Sequence, residues 1–313
     1  MEILDNDIDV DVIGFGALNL DKLHTVESIA CKDQESFISS QKDTPGGSAA
    51  NTIIGLSKLN KKTSIIGKIG EDEAGDVIEL NLAMNKVYTN NLIYSDEGNT
   101  GQVLGFVDND GQRALYVDPG VNDEIAIGEI NPRNINTCKI MHYTSFVGDK
   151  SLEAQIQLLD KLDEDILLSF DPGMLYVKRG FDDISPILKR TNILLMNEQE
   201  FRLLVENDDE SSIEDLAIKF FSTNDVDTVV IKQGYNGVFA INENEECHVD
   251  VFPCDVIDTT AAGDSFNSGF LYGVLNDYKL SECCKIGNFV ASKAIEGYGM
   301  ENFPKENDIK EIL

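Results

Sequence analysis

From about residue 138 onward the chain alternates short apolar runs with longer amphipathic stretches, and this alternation restricts the possible folds more than any other feature. Apolar runs lie at 139–143, 166–170, 193–196 and 226–232, and helical patterning intervenes near 151–163, 183–190, 198–205 and 212–222. Strands joined through helices lie parallel, and apolar runs without polar alternation are buried on both faces. The expectation is an α/β sandwich with a central, mostly parallel sheet covered by helices. Two more helices, about 263–276 and 281–296, close the chain.

The first half adds a different element. Val10-Asp11-Val12-Ile13-Gly14-Phe15-Gly16 reads as a buried first strand. A dinucleotide fingerprint would need its third glycine at position 19, which is Asn19, so a Rossmann oxidoreductase is set aside. Pro45-Gly46-Gly47 opens a helix over 48–59, closed by Asn60, and 63–67 is a further strand. The segments 101–107 and 112–117 alternate as strands around the turn Asp108-Asn109-Asp110-Gly111. With a polar ribbon near 33–43, this hairpin is expected to form a small β lid on a single domain spanning 1–313.

Charge narrows the partners. The chain carries 25 Lys and Arg against 56 Asp and Glu, a net −31, which opposes binding to nucleic acid or to an anionic membrane. No apolar run approaches the roughly 18 residues of a membrane span. The start, Met1-Glu2-Ile3-Leu4-Asp5-Asn6-Asp7, lacks the basic-then-apolar layout of a signal peptide, so a cytoplasmic location is expected. The six Cys contain no C-x-x-C pair, which suits a reducing compartment. Cys247-His248 with Cys254 lacks a fourth ligand at zinc-type spacing. His142 sits in an apolar run and reads as a satisfied core residue.

The chemistry concentrates in Asp258-Thr259-Thr260-Ala261-Ala262-Gly263-Asp264. Small residues at a helix start let a phosphate approach unpaired N–H groups, where the helix dipole also favours an anion. A carboxylate beside that phosphate can accept a proton from a hydroxyl. The alternative reading of the same residues is an Asp-rich turn capping an ordinary helix, since Thr and Asp are good caps.

Two separated signatures, Gly46-Gly47-Ser48-Ala49-Ala50-Asn51 with Gly67-Lys68-Ile69-Gly70-Glu71-Asp72-Glu73-Ala74-Gly75, and Asp258 to Asp264, resemble the ribokinase-like (PfkB-type) carbohydrate kinase family. The resemblance covers about 10–300 and implies a ribokinase-like sandwich with a β lid. It makes Asp264 the general base and the amides of Ala261, Ala262 and Gly263 the anion hole for the γ-phosphoryl of ATP. Many relatives carry Gly where this chain has Ala261. The family's sugar-binding positions fall on Asn19, Asp21, Gly46, Gly47 and Asn51.

On the nucleotide side, the N-x-x-E element falls on Asn197 and Glu200, implying magnesium held through water. From the residues alone, Asn197-Glu198-Gln199-Glu200 is an N-capped acidic helix start. Lys232, Gly234 and Gly237 resemble the glycine-containing nucleotide loop, and Asn288 falls where relatives place a residue beside adenine. Asp258 and Thr260 resemble ligands of a monovalent-cation site, with K+ as its ion and further carbonyls from about 295–299.

The expected activity is ATP- and magnesium-dependent phosphorylation of a hydroxymethyl group on a sugar. A nucleoside kinase acting on the 5′-hydroxyl is the alternative, since Ser48 and Phe146 look more like that branch, where a ring can stack on a base. A non-catalytic sugar- or nucleotide-binding regulator would be expected to lose the base or the small-residue loop, and both are intact. A homodimer through the lid is a further expectation.

Overall fold

The computed structural model describes residues 9–110, 112–206 and 211–313. Residues 1–7, read above for a signal peptide, and Gly111 of the predicted turn lie outside the described residues. Among the described residues, thirteen strands, β1 to β13 in chain order, form two sheets. They are β1 Val12–Phe15, β2 Asn19–Val26, β3 Ile38–Gly46, β4 Thr63–Gly70, β5 Leu92–Ser95, β6 Gly101–Val107 and β7 Arg113–Asp118. The second half supplies β8 Ile140–Thr144, β9 Leu167–Asp171, β10 Ile193–Asn197, β11 Thr228–Lys232, β12 Val238–Asn242 and β13 Glu246–Val249.

The large sheet runs β13-β12-β11-β10-β9-β8-β1-β4-β5. Every pairing from β11 to β5 is parallel, and β12 and β13 add an antiparallel edge. Its central strands are buried on both sides: Leu194, Leu195 and Met196 are fully inaccessible, as an unalternated apolar run requires. One hydrophobic cluster lies under the helices Asp149–Leu159, Phe181–Leu188, Glu198–Leu204 and Ile213–Thr223. The other lies under Ser48–Lys58, Glu73–Met84, Ala262–Leu275 and Leu280–Ala294. The result is a three-layer α/β sandwich.

Parallel pairing brings the carboxyl ends of neighbouring strands level. Thr144 is registered with Asp171, and Asn197 with Lys232, so the last residues of β8 to β11 stand along one edge of the sheet. Ligands of open α/β sheets bind outside that edge.

The small sheet has the order β3-β2-β6-β7 and corrects the expected lid. Its ribbon strand spans Ile38–Gly46 rather than 33–43, and its centre is β2, which the sequence reading did not foresee. Both strands are rich in polar and charged residues, so neither carries an apolar run to mark it. The β6–β7 hairpin forms as expected, and Asp108 ties its turn by accepting from the amides of Asp110 and Gln112.

Part of the first signature is structural. Asp72 caps the helix Glu73–Met84 by accepting from Gly75 N, and it also accepts from both the amide and the hydroxyl of Thr100. That clasp fixes the start of β6. His142 is buried as expected but only half satisfied: Nδ1 meets Ser169 Oγ at 3.0 Å, while Nε2 has no partner among the described residues. Burial lowers its pKa to about 4, so the ring is neutral near pH 7.

Candidate active site

The helix Ala262–Leu275 begins with a strained residue. Ala261, its N-cap, sits in the left-handed region at φ 58°, ψ 16°. That turn leaves the amides of Gly263 and Asp264 without a hydrogen-bond acceptor among the described residues, while the Ala262 amide reaches Thr259 O at 3.2 Å. Unpaired donors at a helix start attract an anion.

Asp264 stands in this first turn and faces a cavity of about 960 Å³. Burial, the largest influence, pushes its pKa up to about 6; the Asp171 charge adds to the rise, and hydrogen bonds from Asn51 and Ser48 and the charge of Lys232 oppose it. Asn51 Nδ2 donates to Asp264 Oδ2 at 2.9 Å. Asn51, expected to bind sugar, thus also orients the carboxylate, and it does so from the helix Ser48–Lys58 packed alongside.

The acceptor side is built where β1 passes into β2. Registers place Asn19 opposite both Gly46 and Gly101. The Asp21 carboxylate occupies the space beside Gly46: a Cβ there would lie 2.4 Å from Asp21 Oδ2. Gly47 turns the chain into the helix at φ 119°, and a Cβ would stand 2.2 Å from Ala17 O. Burial raises Asp21 to about 6. Asn19, Asp21, Gly46, Gly47 and Asn51 share one cavity with Asp258, Thr260, Ala261 and Asp264.

Phe146 borders the same cavity but is fully buried, edge-on to Phe15 at 5.6 Å. It is a core residue and presents no free face for stacking.

Asp258 Oδ1 accepts from Thr260 N at 2.9 Å, and Oδ2 from Gly299 N at 3.4 Å, so the 258–260 and 295–299 segments do meet. The Ile295 carbonyl is already taken by the amides of Ile257 and Asp258. The Thr260 carbonyl accepts no hydrogen bond among the described residues and fits a monovalent cation.

The predicted nucleotide residues stand along the sheet edge, outside that cavity. Asn197 and Glu200 form a capping box, Asn197 Oδ1 accepting from Glu200 N at 2.8 Å and Glu200 Oε2 from Asn197 N at 3.0 Å. Burial and then the Asp171 charge raise Glu200 above its ordinary pKa. The excess negative charge there suits a hydrated divalent cation, and the second Glu200 oxygen is outside the cap. Gly234 and Gly237 shape the β11–β12 turn, which Gln233 N closes onto Gly237 O. Asn288 is buried and gives both amide hydrogen bonds to the carbonyls of Val249 and Asp250. Its amide props that segment, leaving no side-chain donor for adenine.

Three polar residues escaped the sequence reading. Asn122 is buried, accepts from Leu18 N, and donates to Leu18 O and to Asn19 Oδ1, which sets the Asn19 side chain. Asp171 and Asn267 are bonded to Lys232 and to each other. The one signal for Asp171 was a charged residue directly ending an apolar parallel strand.

The model of the pfkB family carbohydrate kinases matches residues 10–307. An uncharacterised sugar kinase of Archaeoglobus fulgidus is 40% identical over 259 residues, 82% of this chain and 100% of that protein. A nucleoside kinase of Methanocaldococcus jannaschii is 29% identical over 95% of both chains. A putative ribokinase II of E. coli, solved with ATP and Mg2+, shares the fold at TM-score 0.82 and 22% identity, covering 96% of this chain and 98% of its own.

Proposed function

This chain belongs to the pfkB family of carbohydrate kinases, and from that premise we propose that it transfers the γ-phosphoryl of ATP to a hydroxymethyl group of a sugar. One observation carries the proposal: a carboxylate with a pKa near 6 stands beside unpaired helix amides and shares a cavity with Asn19 and Asp21. The acceptor oxygen bonds to the γ-phosphorus while the bond to the β–γ bridging oxygen breaks, its electron pair leaving with ADP. The hydroxyl proton passes to Asp264. A base with a pKa just below the working pH is ionised yet basic enough to assist, typically about 10²–10⁴-fold. The amides of Ala261 and Gly263, which have no acceptor among the described residues, receive the charge on the transferring group, whereas the Ala262 amide, expected to join them, is committed to Thr259 O at 3.2 Å.

Asn19 and Asp21 hold the sugar hydroxyls, Gly46 and Gly47 let it lie against the backbone, and Asn51 keeps Asp264 aimed. Mg2+, held at Glu200 through water, would neutralise phosphate charge; K+ at Asp258 and Thr260 would order the anion hole. Lys232, Gly234 and Gly237 border the nucleotide. Closure of the small sheet would exclude water as a competing acceptor. Its outward side exposes Leu104 and Tyr116, a surface suited to pairing with a second copy.

A second reading, a nucleoside kinase, is favoured by the cavity volume, which leaves room for a base beyond the sugar. The Methanocaldococcus jannaschii relative points the same way. The test is ADP release from ATP and Mg2+ across a panel of pentoses, hexoses and nucleosides, with Asp264→Asn in parallel. Acceptor-dependent turnover that falls by ~10² or more in the variant supports the base and names the acceptor. Acceptor binding without turnover on any compound overturns the kinase proposal.

A further inference from the structure

We infer that Asp171 and Asn267 form a buried cradle that holds the Lys232 ammonium at the phosphoryl group in transit, a role that rests on the kinase reading above. Lys232 ends β11 and Asp171 ends β9, so the sheet places both at the same edge with β10 between them. Lys232 Nζ donates to Asp171 Oδ2 at 2.9 Å and to Asn267 Oδ1 at 3.0 Å. Asn267 Nδ2 closes the ring on Asp171 Oδ2 at 2.7 Å. Asn267 is fully buried and Asp171 nearly so. Burial alone would raise the Asp171 pKa, yet the Lys232 charge and the Asn267 hydrogen bond hold it below its ordinary value.

Only two of the three ammonium protons are accounted for. The third has no acceptor among the described residues. Nζ also lies 3.5 Å from the point a Gly263 Cβ would occupy, so it abuts the helix turn whose amides are unpaired. A cation against the positive end of a helix is unfavourable by itself. The arrangement becomes favourable when an anion sits between them, and the cradle prevents the lysine from swinging away beforehand.

A stabilising salt bridge is a poor explanation, since buried ion pairs roughly break even against apolar replacements. As the bond to the bridging oxygen breaks, charge grows on the phosphoryl oxygens and on the departing ADP oxygen. The free N–H of Lys232 donates to that charge. The side chains of Asp171 and Asn267 bond Lys232 and each other, with Gly173 N donating to the other Asp171 oxygen at 3.3 Å, and act on the transferring group through the lysine, so they are positioning residues.

The test compares Lys232→Met, Asp171→Asn and their double variant, using ATP, Mg2+ and an acceptor that the unaltered enzyme phosphorylates. ATP affinity is measured separately by calorimetry without acceptor, and folding by thermal melts. Lys232→Met is expected to lower kcat by about 10²–10³ while ATP affinity shifts less than about tenfold. Asp171→Asn is expected to lower kcat at least ~10-fold, and the double variant to be no slower than Lys232→Met at a pH well above 6, where Asp264 is ionised with or without the Asp171 charge and the cradle has no ammonium left to hold. Should Asp171→Asn not fold, Asn267→Ala must show the same masking by Lys232→Met.

Unchanged kcat in Asp171→Asn overturns the cradle, as do losses that multiply in the double variant. So does a Lys232→Met that keeps kcat and loses only ATP affinity. An unaltered enzyme that turns over no acceptor overturns the kinase reading and this inference with it.

Discussion

Replacing Asp264 by Asn should stabilise the fold at the same time as it lowers turnover by ~10² or more, and the size of the stability gain follows from the site. Folding lifts the Asp264 pKa from 3.8 to about 6, chiefly by burial. The folded protein therefore holds this proton where the unfolded chain has released it. Stability from this group is intact below pH 3.8 and is lost as the pH rises through about 6. Two pKa units at 1.36 kcal/mol each set a ceiling of about 3 kcal/mol at pH 8, and roughly half of that at pH 5. The carboxylate faces an open cavity, where water screens part of the effect, so a gain of about 1–3 kcal/mol is expected at pH 8.

Asparagine keeps an oxygen that can accept from Asn51 Nδ2, which confines the change mainly to charge. The assay is urea unfolding of both proteins at pH 5 and pH 8. The difference between the two gaps cancels every other titrating group, including Asp21, whose pKa is also near 6. A gap that is zero, negative or independent of pH at equal m-values would refute the assignment of a carboxylate whose charge the folded site disfavours. In the unaltered enzyme, kcat should fall tenfold per pH unit below about 6, as protonation removes the base.

Ala261→Gly should raise the melting temperature. Relief of the left-handed strain is worth roughly 1–2 kcal/mol, and the added freedom of the unfolded chain offsets about 0.4–1 of it. Gly47→Ala should destabilise the fold by more than ~1–3 kcal/mol, since the backbone conformation and the clash with Ala17 O act together; thermal melts would show it, and a stable variant would contradict the geometry. Asn122→Ala strands the Leu18 amide and carbonyl and frees Asn19, so stability should drop by about 1–3 kcal/mol and KM for the acceptor should rise more than kcat falls.

The sandwich was legible because its signals are local. Unalternated apolar runs such as 193–196 can only be buried parallel strands, and their helical spacers fix the layer arrangement. The proposed base and anion hole are likewise local, since seven consecutive residues carry the whole candidate device. The lid was half legible: β6 and β7 alternate around a strong turn, whereas β2 and β3 are polar and pair by position. Asn288 shows a contact that position in the chain does not disclose, an amide committed to a neighbouring backbone.

What the sequence by itself determined is the chemistry that adjacent residues can hold between them: small residues, a helix start and a carboxylate within one turn. Tertiary structure alone decided who controls that chemistry. Asn51 reaches Asp264 across 213 positions, Asn122 reaches Asn19 across 103, and Lys232 reaches Asp171 across 61. No spacing rule links such pairs. They meet because parallel strands bring their carboxyl ends level and two helices pack against the same face of the sheet, and only the folded chain carries out that alignment.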